Sequence, residues 1–284
     1  RLNGGGVSSS PLIWVDGEPA QALPLPDRGL DFGDGLFETL LVRQGVPLFL
    51  PLHMERLAAG VDLLSFPDCI DAAKAQLSHS AARLSDLDWA AMRLTLTRGS
   101  APRGYAAPLE AMPRIVITAA GLAADRSQQA APLHLGWADL RWSSQPHLAG
   151  IKHLNRLEQV LVANQARDSH WDDAVVLDQQ GNVCSLSAGN LFLLESGRLL
   201  TPSLETCGIA GTRRRLVLEQ LAPALGVAVE QAHISPEQLL EADAVICCNS
   251  IRGLQAVASL GDRSWTNFSM CEALHQRYVD AMAC

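Results

Sequence analysis

The sequence predicts an α+β fold built from two α/β domains. Both helical and strand-like periodicities occur, but they do not alternate as regular βαβ units, which argues against a doubly wound parallel sheet. A polar, small-residue stretch at 121–132 (GLAADRSQQAAP) divides the chain between two such mixed sets. The 284 residues are 48% hydrophobic and 18% charged, enough apolar material for a substantial core. The expected organisation is a small N-terminal domain over 11–120, a linker over 121–132 and a larger C-terminal domain over 133–284. Residues 1–10 (RLNGGGVSSS) read as a flexible tail outside the fold.

Leu12-Ile13-Trp14-Val15 before Asp16-Gly17 reads as a strand entering a tight turn. Asp31-Phe32-Gly33-Asp34-Gly35 reads as a turn-rich loop, followed by strands at 37–43 and 46–50 with Gly45 between them. The spacing of Leu52, Leu57, Val61 and Leu64 predicts a helix over 51–64, and 68–84 is a second amphipathic helix. Residues 92–97 alternate like a half-buried strand, with 113–119 as its neighbour. Beyond the linker, 134–142 reads as a strand and 154–168 as a helix. Strand segments in 173–200 are separated by turns at 179–181 and 196–197. A helix over 212–225 follows. Ser235-Pro236-Glu237 opens another, which leads into the apolar strand 244–248, and a last helix spans 269–282.

Several function classes are disfavoured. The net charge is −8, and no basic cluster exceeds Arg213-Arg214-Arg215, so nucleic acid is not an expected partner. Seven cysteines occur without a C-x-x-C pair, which suggests neither a zinc knuckle nor a thioredoxin-type site. They read as buried thiols in a reducing cytoplasm. No apolar run is long enough to cross a bilayer and no signal peptide is visible, so a cytoplasmic protein without a membrane partner is expected. Neither a histidine metal set nor a Gly-x-Ser-x-Gly elbow is present.

Four features could carry chemistry. The chain has two lysines. Lys74 falls within an amphipathic helix and reads as solvated. Lys152 lies in Gly150-Ile151-Lys152-His153-Leu154-Asn155-Arg156, where a loop meets a helix; Arg156, four residues on, would share its face if the helix has begun. A Schiff-base lysine needs burial and nearby cations to lower its pKa. Second, Cys207-Gly208-Ile209-Ala210-Gly211-Thr212-Arg213 precedes a helical stretch. Its N–H groups could form an anion cup, or Thr212 could simply cap an ordinary glycine turn. Third, Asn249-Ser250 ends the strand 244–248, a usual place for ligand contacts. Fourth, Arg56 in His53-Met54-Glu55-Arg56-Leu57 is either a surface residue or a ligand cation.

Together these pieces resemble the class IV, fold type IV, pyridoxal-phosphate (PLP) enzymes, which include branched-chain and D-amino-acid aminotransferases and 4-amino-4-deoxychorismate lyase. The matching segments run from Val15-Asp16-Gly17 and Asp27-Arg28-Gly29 through Phe32-Gly33-Asp34-Gly35-Leu36-Phe37-Glu38-Thr39, His53-x-x-Arg56-Leu57, Thr97-Arg98-Gly99, the lysine segment, Asn190-Leu191-Phe192, the glycine cup and Asn249-Ser250. The resemblance implies two α/β domains with PLP at their interface, the larger C-terminal one binding the cofactor, and a homodimer. It implies that Lys152 forms the Schiff base, and that Arg56, the backbone around Gly211, Thr212 and Arg213, Asn249 and Ser250 hold the cofactor. Thr39 matches a threonine that assists proton transfer in the lyase. Ile151-Lys152-His153-Leu154-Asn155-Arg156-Leu157-Glu158-Gln159 is most similar to the lyase, because the aminotransferases place a tyrosine where Leu157 stands. The implied reaction converts 4-amino-4-deoxychorismate to 4-aminobenzoate and pyruvate; a branched-chain or D-amino-acid aminotransferase, or a catalytically impaired binding protein, are the alternatives. Arg98, Arg156 and Arg252 are candidates for the carboxylates of this acidic amine substrate. One departure stands out: Ser185 occupies the position of the glutamate that normally pairs with the pyridine nitrogen.

Overall fold

The computed structural model describes residues 12–108 and 110–283. The stretch 1–10 read as a tail, Pro11 at the start of the expected first domain, and Cys284 lie outside the described residues. The chain forms two compact units that divide between residues 125 and 126, with Ile151–Asn155 returning to the first. Helices and sheets are mixed in both, as an α+β fold requires.

In the first unit, β1 (Leu12–Val15), β2 (Glu18–Pro19), the short helix α1 (Arg28–Phe32), β3 (Gly35–Arg43), β4 (Val46–Pro47), α2 (Leu50–Leu63), α3 (Ile70–Ala82), β5 (Trp89–Thr97) and β6 (Arg114–Gly121) follow in order. The six strands make an antiparallel sheet in the order β2-β1-β6-β5-β3-β4. Alternation sorts its residues by face. Leu36, Leu40, Met92, Leu94, Leu96, Ile115 and Ile117 are buried on one side, the side on which Glu38 meets α2 through His53 and Arg56. Phe37, Thr39, Arg93 and Thr95 point to the other, with Phe37 opposite Thr95 and Thr39 opposite Arg93.

The turn-rich Asp31–Gly35 segment is partly helical. Asp27 is fully buried and caps α1 by accepting from the N–H groups of Gly29 and Leu30. Gly33 ends the helix at φ 66°, where a Cβ would lie 2.5 Å from the Asn155 Oδ1, so glycine is required there. Residues 154–156 are also not the helix start that the pattern predicts, since the helix begins only at Leu157. Phe37 N–H donates to the Lys152 carbonyl at 2.9 Å, Leu154 N–H donates to the Gly35 carbonyl at 3.0 Å, and Leu36 bridges His153. Ile151–Asn155 therefore extends the edge of β3 that β4 leaves open. The sequence division assigned these residues to the second domain.

The second unit continues with β7 (Leu133–Trp137), α4 (Leu157–Asp168), β8 (Asp173–Leu177), β9 (Val183–Leu186), β10 (Asn190–Glu195), β11 (Arg198–Pro202), α5 (Thr212–Leu216), a π-turn (Val217–Leu221), α6 (Ala222–Ala224), β12 (Val229–Ala232), α7 (Pro236–Glu241), β13 (Ala244–Asn249), β14 (Gly253–Leu260), β15 (Arg263–Ser264) and α8 (Ser269–Met282). Its nine strands run β12-β11-β10-β13-β14-β7-β8-β9, with β15 beside β14. Val183 N–H donates to the Ile234 carbonyl at 2.8 Å, so the two ends of this sequence meet and the sheet curls around its core. Leu191, Leu193, Ile234 and Leu239 in that core have no exposure. The expected single helix over 212–225 is widened in its middle. Pro223 supplies no N–H and crowds the carbonyl four residues earlier, so the chain absorbs it after a π-turn.

Candidate active site

β3 organises the candidate residues of the first unit. Its outer edge holds the Lys152 backbone, and its Phe37 ring lies 4.2 Å from the Lys152 Nζ. Thr39 is two residues along and therefore on the same face as Phe37. Lys74, by contrast, is exposed on α3, as its pattern predicts.

On the opposite face, Glu38 has no exposure. It accepts from Arg56 Nε at 2.8 Å and Nη2 at 2.5 Å, and from His53 Nδ1 at 2.6 Å. Burial alone would raise its pKa, but Arg56 and His53 outweigh burial and bring it down to about 2. Arg56 is thus a half-buried ion-pair member whose orientation Glu38 fixes.

Arg98 does not fit the substrate role suggested for it. It is 5% exposed, and its Nε donates to Asp34 Oδ2 at 2.8 Å, Nη1 to the Ser65 carbonyl at 3.0 Å and Nη2 to the Leu64 carbonyl at 2.7 Å. Its guanidinium also stacks on Phe66 at 4.0 Å. All three nitrogens are committed to holding β5 against the end of α2. Arg156 is not on a helical turn with Lys152, because α4 starts only at Leu157 and Arg156 is its N-cap residue. The shared-face argument for this pair therefore falls. Burial pulls the Arg156 guanidinium down to about 10, against the opposing pull of Glu158.

The second unit contains the glycine cup. Gly150, two residues before Lys152, pairs with Ile209: its N–H donates to the Gly208 carbonyl at 3.0 Å and its carbonyl accepts from Ala210 at 2.9 Å. Asn190 Nδ2 donates to the Ile209 carbonyl at 3.0 Å. A Cβ on Gly211 would come within 2.0 Å of the Asn190 Oδ1, so only glycine fits at this N-cap. No side chain caps α5, and Thr212 therefore is not the N-cap. Thr212 and Arg213 are the first two helical residues. The Arg213 side chain, 1% exposed, donates to Tyr278 Oη at 3.1 Å, Thr212 Oγ1 at 3.3 Å and the Ser250 carbonyl at 3.2 Å. It braces the cup against α8 and the turn after β13. The Asn249 amide is used by that turn: Oδ1 accepts from Ile251 and Arg252, and Nδ2 donates to the Ala188 carbonyl. Its side chain builds the loop that presents Ser250 and the exposed Arg252.

Ser185 is buried on β9. Its Oγ accepts from Trp142 Nε1 at 2.8 Å and donates to the Leu186 carbonyl at 3.0 Å. The position where the resemblance implies a carboxylate thus carries a neutral, internally satisfied hydroxyl. A glycine-lined helix start fits a phosphate, and an amine held beside an aromatic ring fits aldehyde attachment. The residues present fit PLP at these two points. Sequence alone assigned no role to Phe37, Arg93, Trp142 or Asn190; of these, Phe37 and Asn190 lie in the family-matching segments Phe32–Thr39 and Asn190–Phe192.

Comparison with known proteins agrees with this geometry. The family model described as amino-transferase class IV matches residues 35–260. An aminodeoxychorismate lyase of Vibrio harveyi is 34% identical over 252 residues, covering 88% of this chain and 91% of that protein. A D-alanine aminotransferase of Bacillus licheniformis is 26% identical, covering 84% of this chain and 83% of that one. Among solved structures, the 4-amino-4-deoxychorismate lyase of Pseudomonas aeruginosa superposes with a TM-score of 0.87 at 38% identity, covering 95% of this chain and 98% of the other. The chain belongs to the class IV aminotransferase family.

Proposed function

We propose that the protein is a PLP-dependent aminodeoxychorismate lyase, which converts 4-amino-4-deoxychorismate to 4-aminobenzoate and pyruvate, a step toward folate. The observation that carries this reading is near-full-length similarity to two lyases, at 34% and 38% identity. Leu157 stands where the aminotransferases place a tyrosine, and it is 72% exposed.

When bound, PLP supplies an electron sink for bond cleavage at the substrate. Lys152 is the attachment residue. Its Nζ would also serve as the base that removes the proton from the carbon bearing nitrogen. Thr39, on the Phe37 face of β3, assists in returning a proton to the departing pyruvate fragment. Gly211, Thr212 and Arg213, through their backbone, and Ser250 bind the phosphate. Arg56, oriented by Glu38, adds positive charge. With Ser185 in place of the glutamate that the resemblance implies, the ring nitrogen of PLP would lack a carboxylate partner, which would weaken the sink. The lyase tolerates this because aromatisation of the product supplies driving force, whereas a transaminase depends on a stabilised carbanion. The protein functions as a cytoplasmic homodimer: relatives of this family are dimeric by resemblance, and buried free thiols suit a reducing compartment. No described helix is long and apolar enough to cross a membrane.

The test incubates purified protein with 4-amino-4-deoxychorismate and monitors 4-aminobenzoate. Wild type should form it. Lys152→Ala should lose both the reaction and the near-visible absorbance of the bound cofactor. Turnover of D-alanine or branched-chain amino acids, with no 4-aminobenzoate, would overturn the reading. Sedimentation velocity checks the dimer.

A further inference from the structure

The described cysteines are buried and unbridged, and two of them from distant parts of the second unit meet. Cys184 lies on β9 and Cys207 in the irregular stretch between β11 and α5, yet their Sγ atoms are 3.4 Å apart. Both belong to one packed cluster with Trp142, Ala174 and Val176. Each thiol adjoins a candidate cofactor residue in the chain. Ser185 follows Cys184, and Gly208 follows Cys207 where the glycine cup begins.

The two sulfurs are not equivalent. The Cys184 S–H donates to Cys207 Sγ, which lowers the Cys207 pKa against burial and the charges of Asp178 and Glu158. The same hydrogen bond, with burial, raises Cys184. Thr206 Oγ1 also donates to Cys207 Sγ, at 3.9 Å. Burial raises Cys69 to about 11, Cys248 and Cys271 to about 12, and Cys247 as well. Cys207 is therefore the described thiol readiest to ionise. It is 8% exposed against 2% for Cys184, so it is the member of the pair that an oxidant reaches first.

We propose that Cys184 and Cys207 are a reversible disulfide site closed by hydrogen peroxide, and that closure loosens the glycine cup on the cofactor. The Cys207 thiolate attacks the O–O bond, takes one oxygen as a sulfenic acid and releases hydroxide. That hydroxide removes the Cys184 proton as water. The Cys184 sulfur then attacks Cys207 and expels the sulfenic oxygen as a second hydroxide, so both sulfurs are oxidised and the peroxide is reduced. The sulfurs must close from 3.4 Å to a bond of about 2.05 Å. Cys184 is held on a strand paired to β8, so the Cys207 stretch moves. A Cβ on Gly208 would lie 2.8 Å from Leu204 and 3.1 Å from Cys184 Sγ, which leaves no slack there. The shift passes to the Gly208 carbonyl, which holds Gly150 N–H, and to the Ile209 carbonyl, which holds Asn190 Nδ2. The proposal concerns the cofactor cup and does not depend on which reaction the protein catalyses.

The experiment treats the purified holoenzyme with hydrogen peroxide, alkylates the remaining thiols after denaturation and maps the peptides by mass spectrometry. Peptides linked through Cys184 and Cys207 should appear, and dithiothreitol should separate them. PLP is then removed by dialysis and titrated back by absorbance. Oxidised protein should bind it about tenfold or more weakly than reduced protein, and dithiothreitol should restore the affinity. In Cys184→Ala no bridge can form, and peroxide should shift the affinity less than about twofold. Absence of the linked peptides overturns the proposal, as does a link that leaves wild-type affinity within about twofold. An equal loss of affinity in Cys184→Ala also overturns it, because the effect then comes from oxidation elsewhere. The wild-type map and its reversal need no variant. Formation of 4-aminobenzoate is not among the readouts, so failure of the lyase reading would leave these outcomes standing.

Discussion

At the scale of single residues, Ser185 and the arginines decide most. Ser185 is held between Trp142 and the Leu186 carbonyl, so its hydroxyl is already satisfied without a ligand. Replacing it by glutamate places a carboxylate beside an indole N–H in a buried pocket. Ser185→Glu should retain 4-aminobenzoate formation and strengthen the electron sink. If transaminase activity appears while lyase activity stays near zero, the lyase assignment is wrong. The arginines show why residue type alone does not reveal role. Arg98 and Arg252 looked alike in sequence, yet one is locked by three acceptors and the other is exposed.

At the scale of elements, β3 and the cup before α5 carry the candidate site residues of their respective units. β3 places Phe37 and Thr39 on one face and Glu38 on the other, so alternation along one strand separates the Lys152 side from the ion-pair side. The cup depends on Gly211, where a Cβ would overlap the Asn190 amide. Gly211→Ala should therefore weaken PLP binding by about tenfold or more, as measured by cofactor titration, because the loop must shift to relieve the contact. Unaltered affinity would argue against a phosphate role for this loop. The strand periodicity of 37–43 and 92–97 and the glycine spacing of 207–213 were legible in the sequence. β14 and the short α1 were not. The first follows a Gly253 turn directly after β13, and the second exists through a cap that Asp27 makes while also accepting from Thr97 and Arg114. The helical reading of 154–156 failed for a similar reason, since backbone bonds to Gly35 and Phe37 hold the neighbouring residues in an extended conformation.

At the scale of the whole molecule, stability should carry a signature of the Glu38 cluster. Its folded pKa of about 2 lies below the ordinary glutamate value of 4.5. A depressed carboxylate contributes stability that is fully present above the unfolded pKa and is lost as pH falls through the folded one. Wild type should thus lose this contribution between about pH 4.5 and 2. Glu38→Gln should be less stable by about 3–5 kcal/mol at neutral pH, since Arg56 and His53 lose a buried counter-charge. It should also show a flatter acid limb in chemical denaturation. Equal acid sensitivity in the two proteins would remove Glu38 as the cause. The sequence by itself determined the local periodicities, the family motifs and the choice of Lys152, because each depends on neighbouring residues or on residue order. Tertiary structure decided which cations are spent on internal acceptors. Arg98 finds its acceptors at residues 34, 64 and 65, and Arg93 makes no ion pair among the described residues, because ion-pair satisfaction depends on distance through space.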